Sequence, residues 1–297
     1  MMSTALPHFL DTAEMRLLEG MRLVPRRTFS GRARGERLSR KKGTSIEFAD
    51  YRDYAVGDDL RHLDWNILAR LDRPTIRTYQ DEEDLAVYIA LDASRSMDFG
   101  EPTKFSHAAR LAALCGYLGL IGQDAVYPVA LGGIDSAPGR VLRGRGSYCR
   151  LVEWLTTQQP KGERGLAASL TRFATTRSVR PGLFICLTDG LDPAAPDVLR
   201  AVAARGHELV LVQVLSHIEL DPELEGDLRL LDAETGEAVE VTAHAQTLRE
   251  YKKALTAHCQ ILEETTLRVG GRYLRSVAGQ PIPEFVRQQM RRVGLAK

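Results

Sequence analysis

The sequence predicts an α/β fold: a doubly wound, mostly parallel sheet carrying an N-terminal extension and a small β-hairpin insertion. Three observations lead there. Four apolar runs, Leu85 to Leu91, Ala125 to Leu131, Leu183 to Leu187 and Glu208 to Leu215, read as strands, and the first lacks polar alternation, as a strand covered on both faces does. Segments of helical period separate these runs, which is the pattern of a parallel sheet with crossover helices. The first run ends in the polar loop Asp92-Ala93-Ser94-Arg95-Ser96, where open α/β sheets place their ligands, and the third ends in Thr188-Asp189-Gly190.

Taken in order, Pro7 to Met21 carries Phe9, Leu10, Ala13, Leu17 and Leu18 at helical spacing and reads as an amphipathic helix capped by Asp11 or Thr12. A basic arm follows, in which Arg22, Arg26, Arg27, Arg32, Arg34, Arg37, Arg40, Lys41 and Lys42 stand against one acid, Glu36. It reads as a solvated arm, or as a docking surface for an acidic partner or a peripheral contact with lipid headgroups. Residues 1–42 therefore form one division of the chain, residues 43–82 a second and residues 83–297 the main domain.

The second division has an apolar side at Ile46, Phe48, Tyr51 and Tyr54 and a turn at Gly57-Asp58-Asp59. A short helix within Leu60 to Leu71, with Trp65, Leu68 and Ala69 inward, precedes an edge strand from Thr75 to Tyr79 after Pro74. Arg52, Asp53, Asp58, Asp59, Arg61, Asp64 and Arg70 are a dense set of opposite charges. They read as an ion-pair network docking this segment on the main domain, or as a recognition surface for a partner.

In the main domain a helix runs from Thr103 or Ser106 to about Leu120, apolar over a broad face. Ser147 caps a helix through Leu155, Leu166 to Thr176 forms another, and Pro196 to Arg205 a third. Leu228 to Val241 breaks the alternation with two short runs around Glu234-Thr235-Gly236-Glu237, a hairpin set in an insertion at about residues 219–242. A long helix from about Ala245 to Val269, a strand from Arg272 to Val277 and a closing helix from Pro283 to Val293 complete the chain.

The composition narrows the function. A net charge of +1 and a basic arm without interleaved aromatics argue against a nucleic-acid partner. Four cysteines without metal-like spacing read as reduced thiols of a cytoplasmic protein. No stretch approaches the roughly 20 apolar residues of a transmembrane helix. There is no phosphate-binding glycine loop. Six of the seven histidines, His62, His107, His207, His217, His244 and His258, are scattered and read as surface or helix-packing residues.

One carboxylate and two hydroxyls spaced two residues apart, Asp92, Ser94 and Ser96, can point into one cavity, and hard oxygen donors of this kind suit Mg²⁺. Asp92-x-Ser94-x-Ser96 resembles the metal-ion-dependent adhesion site of von Willebrand factor type A domains. The string before it, Arg52-Asp53-Tyr54, Gly57-Asp58-Asp59, Arg61, Asp64-Trp65 and Ala69-Arg70, resembles the signature of the bacterial family named domain of unknown function 58. The resemblance covers residues 43–97 and continues more loosely to about Val277. It implies a Rossmann-like, von Willebrand type A-like fold and a ligand shell of Asp92, Ser94, Ser96 and Asp189. It also implies a non-catalytic module that works with a MoxR-type AAA+ ATPase in assembling or activating a client protein.

One position departs from that pattern. Aligning Gly162-Glu163-Arg164-Gly165-Leu166 with the motif's second loop puts Arg164 where a metal-ligating threonine belongs. A guanidinium has no lone pair for a metal and repels one. Two readings stay open: a weak four-ligand Mg²⁺ site with Arg164 turned outward, or a metal-free pocket that Arg164 neutralises or that is empty. A metal-dependent phosphoester hydrolase and a scaffold with a non-functional pocket are the alternatives to the interaction module. The hydrolase lacks a visible general base, so the chain reads as not an enzyme.

Overall fold

The structure is a computed structural model that describes residues 9–27, 29, 48–55, 63–79, 84–132, 138–161, 165–176, 179–233 and 236–297, with backbone alone for 48–52 and 77–79. It divides into two units. One comprises residues 1–27 and 85–297, the other residues 28–84, and each is described by itself.

The smaller unit contains β1 (Phe48–Asp53), α2 (Trp65–Leu71) and β2 (Thr75–Tyr79). The two strands pair antiparallel as a ribbon of their own, with a register shift between Phe48 and Asp50. Asp64 caps α2: its Oδ1 accepts from the backbone of Asn66 at 2.9 Å and of Ile67 at 3.1 Å. Asp64 is buried, whereas Trp65 and Ala69, expected inward, are exposed. The buried apolar side chains among the described residues of this unit are instead Leu63 and Ile76, whose backbones form a bridge.

In the larger unit α1 (Thr12–Leu18) precedes the sheet, capped by Asp11 in a reciprocal bond with Glu14. The sheet strands are β3 (Ala86–Asp92), β4 (Ala125–Leu131), β5 (Leu183–Thr188), β6 (Glu208–Leu215) and β9 (Arg272–Val277). All four pairings are parallel, in the order β4-β3-β5-β6-β9. Numbered within the sheet this is 2-1-3-4-5, a doubly wound order whose switch point falls between β3 and β5. The connections carry α3 (Lys104–Ile121), α4 (Tyr148–Thr157), α5 (Leu166–Thr175), α6 (Ala195–Ala204), the one-turn α7 (His217–Leu220) and α8 (Ala245–Arg268). The hairpin strands β7 (Gly226–Leu231) and β8 (Ala238–Ala243) pair antiparallel before α8, and α9 (Ile282–Phe285) runs into a π-helical turn through Met290.

Side-chain alternation along the strands feeds two apolar layers. Tyr88, Ala90, Phe184, Cys186, Leu209 and Leu211 pack with Leu170, Phe173, Leu199, Val202 and Leu262 of α5, α6 and α8. The other face carries α3, which touches β3, β4, β5 and β6. Most of α3 is buried because α4 covers its outer side.

The basic arm starts differently from expectation. Its first residues belong to the larger unit: Leu23 bridges to Ala296, and the backbone of Arg22 and Val24 bonds to that of Lys297 and Leu295. The backbone N–H groups of Arg26 and Arg27 donate to Glu208 Oε2 at 2.7 and 2.9 Å. Glu208 is fully buried at the start of β6 and also pairs with buried Arg272 of β9. The rest of the arm lies outside the described residues. Ser147, expected as the cap of α4, makes no capping bond; its hydroxyl donates to Arg143 O.

Candidate functional site

The carboxyl ends of β3 and β5 meet at the switch point, and each strand delivers an acid there. Asp92 is the last residue of β3 and is fully buried. Its Oδ1 accepts from the backbone of Ser94 at 2.9 Å, a local turn that bends the chain out of the strand. Its Oδ2 accepts from Thr188 Oγ1 at 2.6 Å. Thr188 ends β5 and its hydroxyl in turn accepts from Gly190 N at 3.0 Å, so one threonine ties the two loops together. Burial, and then the charge of Asp189, push the Asp92 carboxyl up to about 6.

Ser94 and Ser96 flank the start of a 3₁₀ turn, Arg95–Met97, and their hydroxyl oxygens lie 3.1 Å apart. Ser94 is buried and Ser96 half-buried. Gly132, the residue after β4, lies against this turn. A side chain at Gly132, where φ is +94°, would stand 2.9 Å from Ser94 N, and Gly132 N donates to the buried hydroxyl of Ser169 at 2.8 Å.

Asp189 is buried as well. Its Oδ1 accepts from Leu191 N at 3.2 Å, and its backbone carbonyl from Gln213 of β6 at 2.8 Å. Its Oδ2 accepts from the ammonium of Lys104 at 2.7 Å. Lys104 is the first residue of α3 and is 1 % exposed. The same Nζ donates to Glu219 Oε1 at 2.5 Å and lies 5.8 Å from the centre of the Phe99 ring. Glu219 Oε2 accepts from Ser216 N at 2.8 Å in the capping box of α7. Burial lowers the Lys104 pKa, but Asp189 and Glu219 together hold it above its ordinary value.

The structure thus brings Asp92, Ser94, Ser96 and Asp189 to one end of the sheet. Arg164, Asp58, Asp59 and Arg61 lie outside the described residues, as does the side chain of Arg52. Asp53 and Arg70 are exposed in the smaller unit, and Asp64 is its helix cap. Three site residues were not anticipated: Thr188, Lys104 and Glu219. A lysine opening an otherwise apolar helix was the available signal for the second.

For Mg²⁺ the donors fit in part. In an octahedral shell with oxygens at about 2.1 Å, neighbouring ligands stand about 3 Å apart, close to the Ser94–Ser96 separation. The carboxylate of Asp189 does not fit, because an ammonium already holds it. Among the described residues no group of three or more His, Cys, Asp or Glu side chains is placed to hold a metal ion. As it stands, this donor set does not fit the ion its motif implies. Nor do the described residues at this end of the sheet pair a nucleophile with a base: the hydroxyl of Ser94 meets that of Ser96, and the nearby His258 Nε2 donates to Gly190 O at 2.7 Å.

No helix of the described residues is long and apolar enough to cross a membrane. Uncharacterized proteins of Mycobacterium bovis and Mycobacterium tuberculosis are each 28% identical to the chain over 251 residues, covering 83% of it and 78% of their own length. A conserved hypothetical protein, BatB, from Bacteroides thetaiotaomicron superposes with a TM-score of 0.43 at 18% identity, covering 71% of this chain and 98% of its own. An aerotolerance-related membrane protein from Bacteroides fragilis gives the same TM-score and identity, over 70% of this chain and 99% of its own. At that level the likeness says nothing of the site. A family model, by contrast, matches residues 50–261, most of the chain, and the chain belongs to the family described as protein of unknown function DUF58.

Proposed function

We propose that the chain is a non-catalytic protein-interaction module with a von Willebrand type A-like main domain. It docks a partner at the carboxyl end of the sheet, around Asp92, Ser94, Ser96 and Asp189. The observation that carries this reading is the convergence of two strand-end carboxylates and two hydroxyls at the switch point, with no nucleophile paired to a base among the residues described there. The partner implied by the resemblance in the signature segment is a MoxR-type AAA+ ATPase, through which a client protein is assembled or activated. The buried free thiols of Cys115, Cys186 and Cys259 support a cytoplasmic setting.

Co-purification with a co-expressed MoxR-type ATPase tests the proposal. The wild-type chain is expected to retain the ATPase, and the Ser94→Ala/Ser96→Ala variant to lose it. Equal retention by both moves the contact elsewhere. Turnover of phosphate esters with Mg²⁺ or Mn²⁺ that disappears in Asp92→Ala would replace the module by a hydrolase. A scaffold reading is favoured by one observation, that every carboxylate oxygen of Asp92 and Asp189 already accepts a bond from the fold. Failure to retain any ATPase supports that alternative.

A further inference from the structure

We infer that the Lys104 ammonium is the resident cation of this pocket, occupying the charge position of a divalent metal, so that the domain folds and binds without one. The inference concerns the pocket's own charge and holds whether or not the proposed partner is right.

Placement is the first argument. Lysine is among the residues least often buried, and the N-terminus of a helix disfavours a cation. Lys104 is nevertheless 1 % exposed at the first position of α3. A group held against both tendencies is held by its partners, and these are Asp189 and Glu219, brought together from two different strand-end loops. An ammonium has three hydrogens. Two are given to carboxylates, and the Phe99 ring lies beside the group.

Geometry is the second. Asp189 receives Lys104 on one oxygen and Leu191 N on the other. A metal drawn to Asp189 would have to stand beside a fixed positive charge. The lysine is also closed in rather than loosely placed. Glu219 is fixed by Ser216, and a side chain at Gly100 would stand 2.8 Å from Ser216 Cβ, so the loop before α3 packs directly on α7.

Charge is the third. Without Lys104, the carboxylates of Asp92, Asp189 and Glu219 would share one end of the sheet beside the hydroxyl pair of Ser94 and Ser96. That is the donor chemistry of a Mg²⁺ site. Lys104 therefore supplies the positive charge that these acids would otherwise draw from a metal.

Calorimetric titration with Mg²⁺ and thermal melting in millimolar Mg²⁺ or EDTA test this on the full chain. Wild type is expected to show no saturable Mg²⁺ heat and the same melting temperature in both buffers. Lys104→Met is expected to bind Mg²⁺ at least tenfold more tightly than wild type and to melt higher in Mg²⁺ than in EDTA, a gain that Asp92→Ala removes. Lys104→Met/Glu219→Gln removes one acid with the lysine and tests the same gain should the single variant fail to fold. Saturable Mg²⁺ binding by wild type that Asp92→Ala abolishes would overturn the inference, and so would the absence of any gain in a folded lysine variant.

Discussion

At the scale of single residues, the clearest energetic statement concerns Glu208. It satisfies Arg272 across the sheet and the backbone of Arg26 and Arg27 beneath it, all at the buried start of β6. Glu208→Ala leaves a buried guanidinium without its carboxylate, which costs about 3–5 kcal/mol. A urea titration is expected to show that loss, while Glu208→Gln, which keeps an acceptor, loses less. The site residues divide by what the chain alone reveals. Asp92, Ser94, Ser96 and Asp189 were legible because a buried strand running into a polar loop is a local pattern. Lys104 and Glu219 were not, because their meaning lies in a contact spanning 115 positions. Only the strand order shows that the start of α3 and the turn after β6 share one end of the sheet. Asp64, read as part of an ion-pair network, caps α2 as well, a role its place before a helix allowed.

At the scale of elements, the strands from β3 to β6 and β9 fall within a residue of the segments that predict them; in β3, β5 and β6 continuous burial on both faces leaves little ambiguity of period. The ends of the chain were harder. The predicted closing helix is instead a short α-helix and a π turn, and one tripeptide of the basic arm lies beside the C-terminus as an extended pair. The loop after β4 makes an element-level prediction. Gly132 combines a positive φ with direct contact to the Ser94 backbone. Gly132→Ala is expected to destabilise the domain by about 1–3 kcal/mol and to displace the Asp92 loop. Denaturant unfolding measures the first effect, and loss of ATPase retention the second.

At the scale of the whole molecule, stability depends on pH through two buried histidines. Burial pushes His107 and His207 down to about 4, with His107 bonded to Ser276 and His207 set among Tyr88, Phe173 and Phe184. Both are neutral in the fold and protonate near 6.5 in the unfolded chain. At these two sites the unfolded state then binds more protons between these values, so the histidines' contribution to stability is full above about 6.5 and is lost as pH drops toward 4. Each histidine accounts for up to about 3 kcal/mol of that fall. Replacing both with glutamine is expected to flatten the decline between pH 6.5 and 4.5, read from denaturant midpoints. An unchanged slope would place the dependence on other groups.

The central claim is that the oxygen-lined end of the sheet, rather than the charged segment before it, meets the partner. The direct measurement is the affinity of the full chain for a MoxR-type ATPase, compared among wild type, Ser94→Ala/Ser96→Ala and Trp65→Ala, the last removing the exposed ring of the smaller unit. The account predicts at least a tenfold loss on altering the two serines and little change on removing Trp65. Undiminished binding by the serine variant, with loss on removing Trp65, would contradict it.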